Sequence, residues 1–266
     1  MGVDVAAAVQ ATAFVAAAAR AAETAKPRGR VRDEYARLFV DVQRQRQNVR
    51  RRLLAAGTDE VVYRTAILDA LLTTTTSGHT GYAVLNLGAG FCARPYRLEL
   101  STCATYIEVD APDVVELKAE VLAPFDSRCP VTRVPGDVRD VATLRRVSVE
   151  HGLADRRTIV MSEGLLVYLP PEQVTELASG LAGVLRDARW LCDIVSVDSA
   201  AGMNTVASGA KADVRLHGLS DLETLQSGGW TVSEYRPLPI SRRSPVAGGS
   251  RDVVDGVLAL DLSIMD

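Results

Sequence analysis

Histidine, cysteine and aromatic side chains are scarce in this 266-residue chain, which has three histidines, four cysteines and 5% aromatic residues. Cys92, Cys103, Cys129 and Cys192 form no C-x-x-C pair and follow no metal-ligand rhythm, so neither a structural zinc site nor a disulfide framework is encoded. A reducing, cytoplasmic setting and no metal are expected. An excess of positive charge is also missing. With 30 Lys and Arg against 33 Asp and Glu the net charge is −3, which removes the electrostatic pull toward nucleic acid or anionic membrane. No apolar run is long enough to span a bilayer. The most apolar stretch, Val5 to Ala19, starts after Asp4 rather than a basic segment and runs into Arg20 and Glu23, so it reads as an Ala-rich helix. Gly2 lacks the Ser or Thr that a myristoylation motif needs, since position 6 is Ala6. His79, His151 and His217 fall in expected loops and read as solvated or locally bonded.

What is plentiful is apolar residues, at 47%, enough to fill the core of one α/β domain spanning residues 1–266. Residues 1–80 read as a helical extension. Its expected helices are Val5 to Ala25, Arg32 to Ala56 with a break, and Asp59 to Leu72 with Asp59 as a cap; the polar stretch Thr73 to Gly81 closes it. From residue 81 onward short apolar runs alternate with helical ones, the pattern of βαβ units. Strands are expected at Ala83–Leu87, Tyr106–Val109, Val131–Val134, Thr158–Ser162, Trp190–Val195, Trp230–Tyr235 and Val253–Leu262. Helices are expected at Arg94–Leu100, Pro112–Leu122, Val138–Val147 and Pro171–Leu185. The fold class is therefore a Rossmann-like, doubly wound α/β fold with a mainly parallel seven-stranded sheet and an N-terminal helical extension, interrupted by an irregular insertion near 198–218.

Gly88-Ala89-Gly90 directly follows the run Val84-Leu85-Asn86-Leu87, where absent side chains let a loop turn tightly and approach a ligand at the carboxyl end of a strand. Two cofactors suit such a loop. Gly88, Gly90 and Ala93 satisfy a dinucleotide fingerprint, with Glu108 and Asp110 about twenty residues on. Against a nicotinamide cofactor stand the long helical opening, the bulk and charge of Phe91-Cys92-Ala93-Arg94, and the absence of a tyrosine followed four residues later by lysine. S-adenosylmethionine fits these features better.

Further motifs follow in order: Arg94-Pro95-Tyr96-Arg97-Leu98, Glu108-Val109-Asp110-Ala111-Pro112, Gly136-Asp137-Val138-Arg139-Asp140 and Glu163-Gly164-Leu165-Leu166-Val167-Tyr168-Leu169-Pro170. Upstream stand Ala21-Ala22-Glu23-Thr24-Ala25, Arg32-Asp33-Glu34-Tyr35-Ala36 and Tyr63-Arg64-Thr65-Ala66-Ile67-Leu68-Asp69. With the glycine loop, this set resembles the leucine carboxyl methyltransferase family over most of residues 13–185. The resemblance implies a class I S-adenosylmethionine-dependent O-methyltransferase acting on a carboxylate or hydroxyl of a small molecule, in the polyketide and mycobacterial branch. It also implies that Arg64 binds the methionine carboxylate of the cofactor and that the N-terminal helix, within residues 1–30, packs over the cofactor as a lid.

The residues support such a site chemically. Asp110, ending the second strand, can accept both hydrogen bonds of a ribose diol; a helix N-terminal charge beside Pro112 is the plainer reading. Asp137 can accept from an adenine amino group while Val138 offers a backbone donor and an apolar wall, and Asp137 can cap a helix as well. Glu163 suits either the cofactor's amino group or the acceptor site, with helix capping as the alternative. The expected cofactor set is Arg64, Gly88, Ala89, Gly90, Asp110, Asp137, Val138 and Glu163. No residue stands out as a catalytic base. Tyr168 and Arg94 are candidates for the acceptor site, with Arg97 beside them; a structural tyrosine and surface arginines are the common alternatives. The chain departs from the family where Leu-Asp-Thr is usual: here Phe91-Cys92-Ala93 follows the glycines, and Pro95 replaces a small residue. Cys92 reads as packing rather than nucleophile. A nicotinamide-dependent oxidoreductase, a silent cofactor-binding protein and a peptide C-terminus as acceptor are the competing functions.

Overall fold

The computed structural model describes residues 5–46, 58–209, 215–239 and 253–262. The expected apolar runs form strands β1 (Ala83–Leu87), β2 (Thr105–Asp110), β3 (Val131–Pro135), β4 (Thr158–Ser162), β5 (Ala188–Ile194), β6 (Trp230–Pro237) and β7 (Gly256–Leu262). They make one seven-stranded sheet in the order β3-β2-β1-β4-β5-β7-β6. Neighbours among β1 to β5 are parallel, and β7 runs antiparallel to both β5 and β6. Every residue of β1 and β4 is buried, as a parallel strand covered on both faces requires.

Helices supply the covering layers. Along the chain they are α1 (Val5–Thr24), α2 (Ala36–Arg46), α3 (Thr58–Thr76), α4 (Arg94–Arg97), α5 (Pro112–Leu122), α6 (Val141–His151), α7 (Pro171–Val184) and α8 (Val197–Gly209). On one face Leu144 and Val147 of α6 and Val174, Leu177 and Leu181 of α7 pack with Leu85, Val160 and Trp190. On the other, Leu68, Leu71 and Leu72 of α3 meet Val84, Ile159 and Leu191. A third cluster joins Phe14 of α1 and Phe39 of α2 to Phe91, Tyr96 and Val114. Among the described residues no helix is long and apolar enough to cross a membrane.

Several expected boundaries move, each for a local reason. α3 runs on through the polar stretch because Thr73, Thr74 and Thr76 hydroxyls donate to the carbonyls of Asp69, Ala70 and Leu72 at 2.8, 2.8 and 2.9 Å, satisfying themselves inside the helix. Asp59 lies within its first turn, not ahead of it. The helix expected from Val138 begins instead at Val141, because Asp140 accepts from the Ala142 and Thr143 amides at 2.9 and 3.2 Å; it ends at left-handed Gly152 (φ 59°). His151 therefore closes a helix rather than sitting in a loop. α4 is shorter than expected, and of the span Arg32 to Ala56 the described part is helical only over α2; residues 47–57 lie outside the described ones. The irregular insertion contains α8, whose Asn204 side chain clamps the Leu216 backbone through two 2.8 Å bonds; residues 210–214 lie outside the described set.

Candidate functional site

The strand order reverses direction between β1 and β4, so a crevice opens at their carboxyl ends. A cavity of ≈ 530 Å³ lies there, and all eight residues of the expected cofactor set line it, with Tyr168 and Arg94.

The loop after β1 turns on Gly88 (φ 62°) and Gly90 (φ 44°), conformations costly for any residue with a Cβ. The Gly90 amide donates to Asp110 Oδ2 at 2.6 Å and the Ala111 amide to Oδ1 at 2.7 Å. Each carboxylate oxygen so held keeps a second lone pair for a ligand hydroxyl. Burial pushes the Asp110 carboxyl above its ordinary range, against the pull of the two amides. Glu108, the other acid of the dinucleotide fingerprint, is consumed elsewhere. It is buried between Lys118 Nζ at 2.7 Å and Arg133 Nε at 3.1 Å, and it does not line the cavity.

One end of the cavity is walled by buried ion pairs. Glu163 lies 2.7 Å from Arg94 Nη1 and 3.5 Å from Arg64 Nε, and Asp193 of β5 lies 3.3 Å from Arg64 Nη1 while accepting from the Gly164 amide at 2.6 Å. Although burial works against ionisation, Arg94 and Arg64 hold the Glu163 carboxyl well below the usual carboxylate range. Gly164 (φ 64°) is what lets Arg64 in, since a Cβ there would sit 2.6 Å from Arg64 Nη2. Arg94 is buried, not a surface cation, and is shared between Glu163 and Asp69 at 2.7 Å. Its Nε and Nη1 are taken by these carboxylates, while Nη2 is buried without a hydrogen-bond partner among the described residues. Arg97 is likewise buried and pairs with Asp69 at 2.7 Å; it does not line the cavity. Cys92 accepts a 3.3 Å bond from Arg94 Nη1 and is buried.

The opposite end is open to solvent. Asp137, half-exposed, is gripped by Arg139 through Nη2 at 2.6 Å, and Val138 between them is buried. The Arg139 guanidinium and amide together pull the Asp137 carboxyl below its ordinary range. Asp140, not Asp137, caps α6.

α1, the helix that the resemblance implies packs over the cofactor, forms the roof. Thr12, Ala13, Ala16 and Arg20 line the cavity. Arg20 pairs with Asp33 at 2.8 Å and donates through Nη2 to the Phe91 carbonyl at 2.8 Å. Phe91 in turn meets Phe14 and Phe39 with ring centroids 4.7 and 4.5 Å away, so the bulky departure in the loop is where the roof is fastened. Tyr168 ends a short 3-10 turn, Leu166–Tyr168, and burial pushes its hydroxyl pKa up, which keeps it a neutral donor. Sequence reasoning missed Asp69, Asp193 and Arg139 as site-forming residues. Asp193, a lone acid in a buried strand, was the one with a readable signal.

Comparison with known proteins gives the family and the fold. The family model for leucine carboxyl methyltransferase matches residues 13–182. A Rhodococcus jostii protein, named as a proposed S-adenosyl-L-methionine-dependent methyltransferase, is 33% identical over 193 residues, covering 66% of this chain and 64% of its own. The match thus spans less than two thirds of that relative's length. A similarly named protein of Mycobacterium sp. (strain KMS) is 29% identical over 270 residues, covering 86% of this chain and 85% of its own. Among solved structures, a duf574 family protein from Streptomyces avermitilis superposes with a TM-score of 0.61 at 10% identity, covering 93% of this chain and 97% of its own, which speaks to the fold alone. On the matched residues and on the site they build, the chain belongs to the leucine carboxyl methyltransferase family.

Proposed function

We propose that this protein is an S-adenosylmethionine-dependent O-methyltransferase that methylates a carboxylate or hydroxyl of a small molecule. The observation that carries the reading is the convergence of the Gly88-Ala89-Gly90 turn, Asp110, Asp137, Glu163 and Arg64 on one cavity at the carboxyl ends of β1 to β4. The cavity suits the cofactor's parts. Glycine turns leave room for close approach, Asp110 keeps lone pairs for a ribose diol, and the wall at Arg64 and Glu163 offers a cation and an anion for an amino-acid tail. With Glu108 engaged in ion pairs, Asp110 is the fingerprint acid left in the cavity, and it suits the ribose of either cofactor.

S-adenosylmethionine held by Arg64, the Gly88-Ala89-Gly90 turn, Asp110, Asp137 and Glu163 would supply a methyl group on a positively charged sulfur, a leaving group that would take back the S–C electrons as an acceptor oxygen takes the methyl. The protein's part is to bind, orient and exclude water, which in well-aligned cases lowers a barrier by about 7–11 kcal/mol. A carboxylate acceptor is already ionised near neutrality and needs no base, whereas a hydroxyl must lose a proton as it reacts. Tyr168, kept neutral by burial, is placed in this reading to donate to the acceptor. Arg94 acts through Glu163. α1, with Arg20 fastened to the Phe91 carbonyl, serves as the lid, in a single domain whose extension is residues 1–80.

Thermal melts with S-adenosylhomocysteine and with NADH test the cofactor; stabilisation by the first alone is expected. Methyl transfer from labelled cofactor to small carboxylic acids and phenols then tests the reaction. Label that mild alkali releases as methanol marks an ester; stable label marks an ether. Transfer to neither oxygen class would remove the O-methyl reading.

A further inference from the structure

The pair at the open end of the cavity is built more tightly than folding requires. Arg139 reaches Asp137 with its amide at 2.9 Å, with Nε at 2.9 and 3.0 Å to the two oxygens, and with Nη2 at 2.6 Å. The two side chains are 55% and 47% exposed, and an ion pair so exposed contributes little to stability. The next helix does not depend on it, since Asp140 supplies that cap. Both residues nevertheless line the cavity, on either side of buried Val138.

A free surface aspartate rotates about two torsions and is solvated in many directions; one held along a guanidinium edge presents its remaining lone pairs in a fixed direction. A fixed acceptor discriminates between purines. The 6-amino group of adenine donates to it, whereas the 6-oxo group of hypoxanthine sets acceptor against acceptor. We propose that Arg139 is a positioning residue that orients Asp137 and thereby sets the preference of this cavity for a 6-amino over a 6-oxo purine. The proposal rests on the cofactor reading above.

Titration calorimetry with S-adenosylhomocysteine and S-inosylhomocysteine on wild type, Arg139→Ala, Arg139→Lys and Asp137→Asn provides the test. Wild type is expected to prefer the adenosyl compound by about tenfold or more. Arg139→Ala should weaken adenosyl binding about three- to tenfold while inosyl binding changes little, so the preference shrinks. Lysine restores charge but not the fork and should recover only part of it. Asp137→Asn, which can turn a donor toward the 6-oxo group, should abolish the preference. An Arg139→Ala protein that keeps the wild-type preference overturns the proposal. If Asp137→Asn also keeps it while S-adenosylhomocysteine binds well, the base does not meet Asp137, and the proposal falls while the cofactor reading stands. Failure of wild type to bind S-adenosylhomocysteine would take both down.

Discussion

The two ends of the cavity are built on opposite principles. At the Arg64 end, Arg94 and Asp193 are buried and Glu163, Asp69 and Arg64 largely so, and ion pairs join Arg94 to Glu163 and Asp69, and Arg64 to Glu163 and Asp193, before any ligand arrives; at the Asp137 end a single pair stands half in solvent. Burying charges is unfavourable unless every partner is present, so the first end is all-or-nothing, whereas the second can be altered with little effect on the fold. On the cofactor reading proposed above, stability and ligand affinity are then entangled at one end and separable at the other.

The largest effect should come from Glu163→Gln, which leaves Arg64 and Arg94 without their shared carboxylate. A loss of about 3–5 kcal/mol in chemical denaturation is expected. Because the Glu163 carboxyl sits below its ordinary 4.5 in the folded protein, its stabilisation is complete above that pH and is lost as pH falls through the depressed folded value. The variant should therefore lose less stability than wild type on acidification below pH 4.5; parallel acid limbs would show that Glu163 is not so held.

Asp110→Asn comes next and separates affinity from fold. Affinity for S-adenosylhomocysteine should drop about 10- to 100-fold by calorimetry, the cost of losing bonds to a charged acceptor. The Asp110 carboxyl is raised from 3.8, so protons compete with the ligand at a pH above the ordinary aspartate range. Wild-type affinity should fall on acidification there, and the variant should lack that limb.

Gly164→Ala sharpens the comparison from the buried side. A Cβ 2.6 Å from Arg64 Nη2, on a residue with φ +64°, should displace the guanidinium. About tenfold weaker ligand binding and about 1–2 kcal/mol lower stability are expected. Wild-type affinity in this variant would mean that Arg64 does not reach the ligand.

The smallest effect belongs to Asp140→Ala, which removes the α6 cap. A loss of about 1 kcal/mol is expected, a fall in Tm of about 2–4 °C, with ligand affinity unchanged. Weakened affinity would blur the division of labour between Asp137 and Asp140.

What the residues disclosed unaided follows the same divide. β1 and β4 occupy the expected spans to the residue, because strands buried on both faces are continuous apolar runs that end where the polar site residues begin. That the glycine turn, Asp110, Asp137 and Glu163 would come together at one cavity was legible for that reason: each follows or ends a strand. Helix starts were less so, as at α6, where Asp137 reads as the cap but Asp140 holds the Ala142 and Thr143 amides. The ion-pair wall was not legible, since Arg64 and Asp193 stand 129 positions apart and pairing at that distance leaves no local pattern. Arg94 and Arg97, adjacent to the glycines in sequence, looked like free cations. Only the folded chain shows Asp69 and Asp33 beside them.

The most direct measurement is a calorimetric titration of wild type and Asp110→Asn with S-adenosylhomocysteine near neutral pH. One-to-one binding by wild type, weakened at least about tenfold in the variant, is expected if the cavity at the ends of β1 to β4 holds the nucleoside. Absence of binding to wild type, or equal affinity in both proteins, would contradict it.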